Sequence, residues 1–220
     1  MPTKPLEQRQ LFNTSREKLE QRFLEYYQET QDSAYIIECA VAVQVRNAYS
    51  RDDFSFFMKD FIRSLFLTGK KLPENRNLYF FFRDYFTEEE WRTLVKQLFE
   101  SPEEYLTYAS KNQAALKTLG PYLSSGSREV EEDATLVAQF EDGAKKPKIL
   151  KIRRIARQVV PPAHSRDLLH IMTYLSIFQR NGVTCFAKII KAHTDYVVER
   201  YREDYRGAEP KTYNLPKLTP

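Results

Sequence analysis

Glycine is scarce in this chain: it accounts for 6 of 220 residues, against 15 phenylalanines and 14 tyrosines. A β sandwich needs frequent turns, and glycine supplies many of them. The low glycine content and the many bulky aromatics exclude a turn-rich β fold and favour long helices. We therefore predict an all-α multi-helix bundle, built as one unit or as two abutting helical subdomains, with less than about a tenth of the residues in strands.

Cysteine and long apolar runs are also scarce. Cys39 and Cys185 are the only cysteines, and they allow at most one disulfide. The N-terminus lacks the charged and apolar layout of a secretory signal. Apolar runs such as Ala40–Val43 and Tyr79–Phe82 are far shorter than the roughly 20 residues needed to cross a bilayer. These absences predict a cytoplasmic protein without a membrane partner.

The residue patterns of metal and nucleotide sites are missing. The histidines His164, His170 and His193 do not have the spacing of a zinc-binding helix, and no Cys-x-x-Cys pair is present. The Gly69-Lys70 pair lacks the partner glycine of a phosphate-binding P-loop, because Ser64 stands at that position. The sequence therefore predicts a protein that is not an enzyme and has no catalytic residues, metal or cofactor.

Capping patterns mark several helix starts in the first half of the chain. Thr14–Glu17 and Thr87–Glu90 have the capping-box pattern, in which a hydroxyl and a carboxylate satisfy free backbone amides. Ser101-Pro102 is typical of a helix N-terminus, and we expect that helix to end before Gly120. The almost continuously apolar segment Ala34–Tyr49 predicts a central buried helix.

Prolines and serines suggest three more helices in the second half. We predict one from Pro147 to the Pro161-Pro162 pair, one from Ser165 to about Asn181, and one from Thr184 to about Gly207. A serine-rich and acidic stretch precedes them. We expect a neutral, aromatic-rich helical bundle at 1–120, a linker at 121–146, a basic helical subdomain at 147–207 and an extended tail at 208–220.

Positive charge is concentrated in the second half of the chain. Residues 1–120 carry 17 Lys and Arg against 18 Asp and Glu, whereas residues 121–220 carry 17 against 12. Between Gly143 and Lys191, 11 basic residues accompany the single acid Asp167. This block indicates an anionic partner.

The block predicts a cationic ridge when it is wound as a helix. Lys148, Lys151, Arg154 and Arg157 then fall along one side, and Ile149, Ile152, Ala156 and Val159 fall on the opposite side. We expect the site to be centred on the four cations of the ridge. The supporting charges are Lys145, Lys146, Arg153, Arg166, Arg180, Lys188 and Lys191.

A compact cationic ridge favours nucleic acid, because closely spaced phosphates can be bound without reading bases. Two other hypotheses stay open for the same ridge. It could dock an acidic or helical protein partner, which would make the chain a protein-protein adaptor, or it could bind a membrane surface.

The aromatic segment Tyr79–Phe86 covers more than one face of a short predicted helix, so one core contact cannot bury every ring. We favour a role in the core and in a protein interface. Base stacking on these rings is the alternative. The surrounding half of the chain has no net positive charge, which makes base stacking the weaker hypothesis.

The chain resembles the small helical subunit of a type I-D CRISPR interference complex, which corresponds to the C-terminal part of the large subunit. Three features carry the resemblance: the predicted helical organisation from Thr14 to Gly207, the aromatic helices Asp53–Phe66 and Arg76–Phe86, and the cationic block Lys145–Lys191.

The resemblance implies a non-catalytic scaffold subunit of a ribonucleoprotein complex, present in more than one copy and bound to the other subunits. Such a subunit holds guide RNA or displaced single-stranded target DNA through contacts to backbone phosphates. Large subunits of this class can carry a His-Asp nuclease region. Here His164, His170 and His193 are followed by Ser165, Ile171 and Thr194, so no adjacent His-Asp pair exists.

Overall fold

The computed structural model describes residues 4–69, 71–126, 134–156 and 160–196. Its first part is helical, with α1 (Gln8–Asn13), α2 (Arg16–Thr30), α3 (Ser33–Tyr49), α4 (Lys59–Thr68), a 3₁₀ helix (Arg76–Tyr85), α5 (Glu88–Leu98) and α6 (Pro102–Leu123). Its second part contains β1 (Ala134–Glu141), β2 (Pro147–Ile155), α7 (Pro162–His170), a 3₁₀ turn (Ile171–Tyr174), β3 (Gln179–Arg180), β4 (Val183–Thr184) and β5 (Lys188–Tyr196).

The prediction of an all-α bundle is wrong, because the fold is mixed α/β. β1 lies at the centre of a three-stranded antiparallel sheet with the order β2-β1-β5, and β3 pairs with β4 in a small second sheet. The described part of 147–207 contains four strands and is therefore not a helical subdomain. The part of it predicted as a helix from Pro147 forms β2 instead.

β2 buries side chains with the period of two that a strand requires. Leu150 and Ile152 are fully buried. Lys151, which lies between them, and Arg153, which follows Ile152, are exposed. Isoleucines at 149 and 152 also fit a helical period, which explains the wrong prediction. The pairing with β1 decides between the two periods, because it buries Leu150 opposite Ala138 and Ile152 opposite Leu136.

The predictions for the segments around β2 also need correction. β1 lies in the segment expected to be a linker. The predicted helix from Ser165 is shorter and starts earlier, because Pro162 begins α7 instead of ending a helix. The predicted helix from Thr184 is replaced by β4 and β5 as far as Tyr196, and its remainder to Gly207 lies outside the described residues, as does the predicted tail.

The helical first half follows the sequence more closely. The buried helix predicted over Ala34–Tyr49 is confirmed as α3, and the capping box of Thr87 and Glu90 begins α5. Ser101 caps α6, although α6 continues through Gly120 to Leu123. The aromatic helix expected over Asp53–Phe66 begins only at Lys59, as α4, and the aromatic segment Arg76–Tyr85 is a 3₁₀ helix. None of the described helices combines the length and the apolarity needed to cross a bilayer.

One hydrophobic core joins the helices and the sheet. It contains α3 side chains such as Ile36 and Val43 together with sheet side chains such as Phe140 and Ile152. The C-terminus of α3 is tied to β2, because the amide of Ala156 donates to the carbonyl of Tyr49 over 2.9 Å. The sheet is therefore held beside the N-terminal helices.

Candidate nucleic-acid interface

Two adjoining hollows run along β2. The first, here called the lysine hollow, has a volume of about 680 Å³, and its charged lining residues are Lys4, Glu7, Arg9, Lys151 and Arg180. The second, the arginine hollow, also measures about 680 Å³, and its charged lining residues are Arg9, Arg16, Glu17, Arg46, Arg51, Asp52, Asp53, Arg153 and Arg154. Arg9 and Asn13 line both. Together the hollows form one basic cleft.

The short helix α1 shapes the cleft by covering the free edge of β2. The side-chain amide of Gln8 donates to the carbonyl of Ile149 over 3.1 Å, and the amide of Arg153 donates to the side-chain oxygen of Asn13 over 3.4 Å. These bonds satisfy backbone groups that an edge strand would otherwise leave open. They also bring Arg9 of α1 beside Lys151 and Arg153 of β2.

The arginine hollow lies where α1, α2 and the end of α3 meet β2. Some of its arginines are paired with acids: Arg154 lies 3.0 Å from Asp52, and Arg16 lies 2.9 Å from Glu20 and 3.9 Å from Asp53. Six arginines and three carboxylates are among its described lining residues. Even with Arg51 left out of the count, the arginines outnumber the carboxylates, so these lining residues carry an excess of positive charge.

Arg46 is the most buried cation of the cleft, with 3% of its surface exposed. Its Nη1 donates to the carbonyl of Leu11 over 3.0 Å, and its guanidinium carbon lies 3.9 Å from the centre of the Phe54 ring. Its Nε is buried without a hydrogen-bond partner.

Burial lowers the pKa of Arg46 to about 10. Asp52 partly opposes that effect by raising the pKa, and the charge of Arg154 lowers it further. The side chain is therefore still a cation at neutral pH, because its pKa stays well above 7. Within the described part of the chain, no carboxylate forms an ion pair with it.

The prediction of a helical ridge is wrong for its described cations, because Lys148, Lys151 and Arg154 lie on β2. Of these three, Lys151 lines the cleft without an ion pair in the described structure. Lys148 forms an ion pair with the buried carboxylate of Asp142 over 3.0 Å. Arg154 has a left-handed backbone with φ of 56° and pairs with Asp52. Arg157 lies outside the described residues.

The supporting cations separate into three groups. Arg153 and Arg180 line the cleft with Lys151 and Arg154. Lys145 and Lys146 are exposed at the turn between β1 and β2. The remaining three are on the far side of β1: Arg166 and Lys191 line a hollow of about 520 Å³ between α7 and β5, and Lys188 pairs in register with Glu141.

Five cations of the cleft were missed by the sequence analysis because they come from the half of the chain with no net positive charge. They are Lys4, Arg9, Arg16, Arg46 and Arg51. One signal was present, since Arg46 is a charged residue in the mostly apolar segment that forms α3. An arginine in a buried stretch indicates either a paired charge or a binding site.

The aromatic segment belongs mainly to the core, as predicted. Tyr79, Phe80, Phe82 and Tyr85 are buried. Phe81 is partly exposed and lines a groove of about 600 Å³ between the first 3₁₀ helix and α6. We call this groove the aromatic groove.

No cluster of three or more His, Cys, Asp or Glu side chains that could hold a metal ion occurs in the described residues. His193 lies 3.3 Å from Asp195 on β5, and both side chains are more than half exposed. Such an exposed pair lacks the third ligand that a structural metal site needs.

Comparison with models of known protein families, with curated proteins and with solved structures finds no match for this chain.

Proposed function

We propose that this protein is a non-catalytic nucleic-acid-binding scaffold that holds a single strand in the basic cleft by contacts to its phosphates. The observation that supports the proposal best is the charge of the cleft, where nine basic residues face four acidic ones. Lysine and arginine bind phosphates by releasing condensed counterions, without any need for base contacts.

The length of the cleft suits a short stretch of single strand. From Ile149 to Arg154, β2 extends about 17 Å at roughly 3.3 Å per residue. A stacked strand carries one phosphate about every 3.4 Å, so about five phosphates would lie along it. Lys151 and Arg153 face outward at alternate positions of β2. They can therefore contact phosphates of a bound strand that has this spacing.

The cellular setting we propose is a cytoplasmic CRISPR interference complex, in which the strand would be guide RNA or displaced target DNA. The protein partners would be the other subunits and further copies of this chain. One feature behind that resemblance, helical organisation as far as Gly207, is contradicted by the sheet. The basic cleft supports nucleic-acid binding independently of the resemblance.

The proposal is tested by replacing three cations of the cleft that form no ion pair in the described structure. In the variant Arg9→Gln, Lys151→Gln, Arg153→Gln, we expect weaker binding of unrelated RNA and DNA single strands by about the same factor. The slope of log affinity against log salt should flatten by up to roughly 0.7 per lost phosphate contact. Fluorescence anisotropy across a salt series measures both quantities.

The matched control removes the same charge elsewhere. Lys18, Lys96 and Lys111 are exposed and line neither hollow. Their triple replacement by Gln should leave affinity nearly unchanged, apart from a small effect of net charge. Equal losses in the two triple variants would show that binding depends on overall charge and not on the cleft.

A helical adaptor is the second candidate, and the aromatic groove favours it. Leu106 at the edge of this groove is 62% exposed, and rings such as Phe81 and Tyr105 line it. Exposed apolar surface beside a groove is typical of sites that bind a partner helix.

If the basic cleft docks acidic proteins and not nucleic acid, polyglutamate should bind as tightly as an oligonucleotide of equal charge.

A further inference from the structure

The arginine hollow differs from the rest of the cleft in the kind of cation it contains. All six of its basic residues are arginines, whereas the lysine hollow contains Lys4 and Lys151. Arginine presents a planar fork of donors that can bind two oxygens of one phosphate, whereas lysine acts as a point charge. A hollow lined only by guanidinium groups therefore suits one compact anion with several oxygens.

Arg46 lines this hollow, is 3% exposed, and forms no ion pair within the part of the chain that the structure describes. A buried cation without a carboxylate is unfavourable in the folded protein. Its Nε also lacks an acceptor. A phosphate entering the hollow would offset this cost, because it supplies negative charge and acceptor oxygens at the same point.

The N-terminus of α2 adds a second attraction for an anion. Thr14, Ser15 and Arg16 line the hollow, and α2 has 15 residues. The side chain of Ser15, the N-cap residue, makes no capping hydrogen bond. Free backbone amides and the helix dipole at such a terminus favour negative charge.

We propose that the arginine hollow binds the terminal phosphate of the strand that lies in the cleft. This inference rests on the proposed function. A terminal phosphomonoester carries nearly two negative charges at neutral pH and has three unesterified oxygens, whereas an internal phosphodiester has one charge and two such oxygens. Even with Arg51 left out of the count, the hollow has five arginines and three carboxylates among its described lining residues, which favours the larger charge.

Accessibility gives a second reason for a terminal group. Arg46 is 3% exposed and lines the hollow, so a ligand can reach its guanidinium through the hollow. An internal phosphate is tethered on both sides to a strand that passes over the opening. A terminal phosphate is tethered on one side and can project into the hollow.

The test uses one oligonucleotide sequence in three forms: with a 5′-phosphate, with a 3′-phosphate and with hydroxyls at both ends. We expect one phosphorylated form to bind at least about fivefold more tightly than the hydroxyl form at pH 7.5. That advantage should shrink when the pH falls below about 6, because the phosphomonoester then takes up a proton.

Two variants locate the preference. Arg46→Lys keeps the charge and removes the fork, and Arg16→Gln changes a partly exposed residue whose replacement leaves the core intact. Each should reduce the ratio between the phosphorylated and hydroxyl forms. Lys151→Gln in the lysine hollow is the control, because it should weaken all three forms equally and leave the ratio unchanged.

Equal, salt-dependent binding of all three forms would overturn this inference while leaving the proposed function in place. Absence of binding to any form would overturn both. A preference that persists in both arginine variants would also overturn it, since the terminal phosphate would then be bound elsewhere.

Discussion

The guanidinium of Arg46 is buried between the Phe54 ring and the carbonyl of Leu11. A charge in such a place weakens the folded state unless a partner offsets it, whereas an apolar side chain of similar length fills the same space without that cost. A residue that is unfavourable for folding and favourable for binding is typical of functional sites.

We expect Arg46→Met to keep the free energy of unfolding within about 1 kcal/mol of the original, because the removal of a buried charge offsets the lost hydrogen bond. The same variant should lose its preference for a phosphorylated strand end. Urea unfolding measures the first quantity and anisotropy the second. A destabilisation of more than about 3 kcal/mol would instead indicate that Arg46 is mainly structural.

At the scale of elements, β2 provides a direct test of strand against helix. Ile149 and Ile152 share the buried stripe of the predicted helix, but on the strand they point to opposite faces. Ile149 is 45% exposed and Ile152 is fully buried.

We therefore expect Ile152→Asp to lower the free energy of unfolding by more than about 3 kcal/mol, because it buries an unpaired carboxylate. Ile149→Asp should cost less than about 1 kcal/mol. Urea midpoints of the two variants decide the matter, and similar large losses in both would support the helix.

The turn between β1 and β2 depends on Asp142. One carboxylate oxygen accepts from the amides of Ala144 over 2.9 Å and Lys146 over 2.8 Å, and the other lies 3.0 Å from the ammonium of Lys148. The hydrogen bond from Lys146, together with those from Lys148 and Ala144, lowers the pKa of Asp142 below its ordinary value. The ionised side chain therefore holds both ends of the turn.

A carboxyl whose pKa is lower in the folded state stabilises the protein above its unfolded pKa of about 3.9, and that contribution is lost as the pH falls through the lower folded value. We expect the melting temperature of Asp142→Asn to fall less steeply than that of the original protein as the pH is lowered from about 5 to about 2. Parallel melting profiles for the variant and the original would contradict this role. Circular dichroism at a series of pH values gives the comparison.

At the scale of the whole molecule, the N-terminal helices share one core with the second part of the chain and are linked to it by polar contacts. Glu38 of α3 accepts hydrogen bonds from the amides of Ser176 and Ile177 over 2.5 and 3.0 Å, and the hydroxyl of Tyr49 donates to the carbonyl of Ser165 over 3.0 Å. Parts that share a core in this way unfold together.

We therefore expect one cooperative unfolding transition. The single tryptophan, Trp91, lies in α5 and reports on the helices alone. The sheet variant Ile152→Asp should lower the urea midpoint seen by Trp91 fluorescence as much as the midpoint seen by circular dichroism. Two separate transitions would instead indicate independent helical and sheet units.

The sequence by itself determined α2, α3, α5 and α6, because their signals are local. It did not indicate α1, and it placed the start of the aromatic helix at Asp53, whereas α4 begins at Lys59. A capping residue such as Thr87 or Ser101 acts within its own first turn, and a long apolar segment such as the one in α3 must be buried in any fold. The concentration of positive charge after Gly143 was also visible in the sequence alone.

Tertiary structure decided the fold of the second half of the chain and brought the residues of the site together. The β2 segment fits two periods, and only its pairing with β1 selects the strand, through contacts between residues that local patterns do not relate. The cleft needed the same information, since Arg9, Arg46 and Arg153 are far apart in the chain and lie together because α1 covers the edge of β2. Net charge per segment cannot reveal such a cluster, because the acids that neutralise the first half of the chain lie mostly outside the cleft.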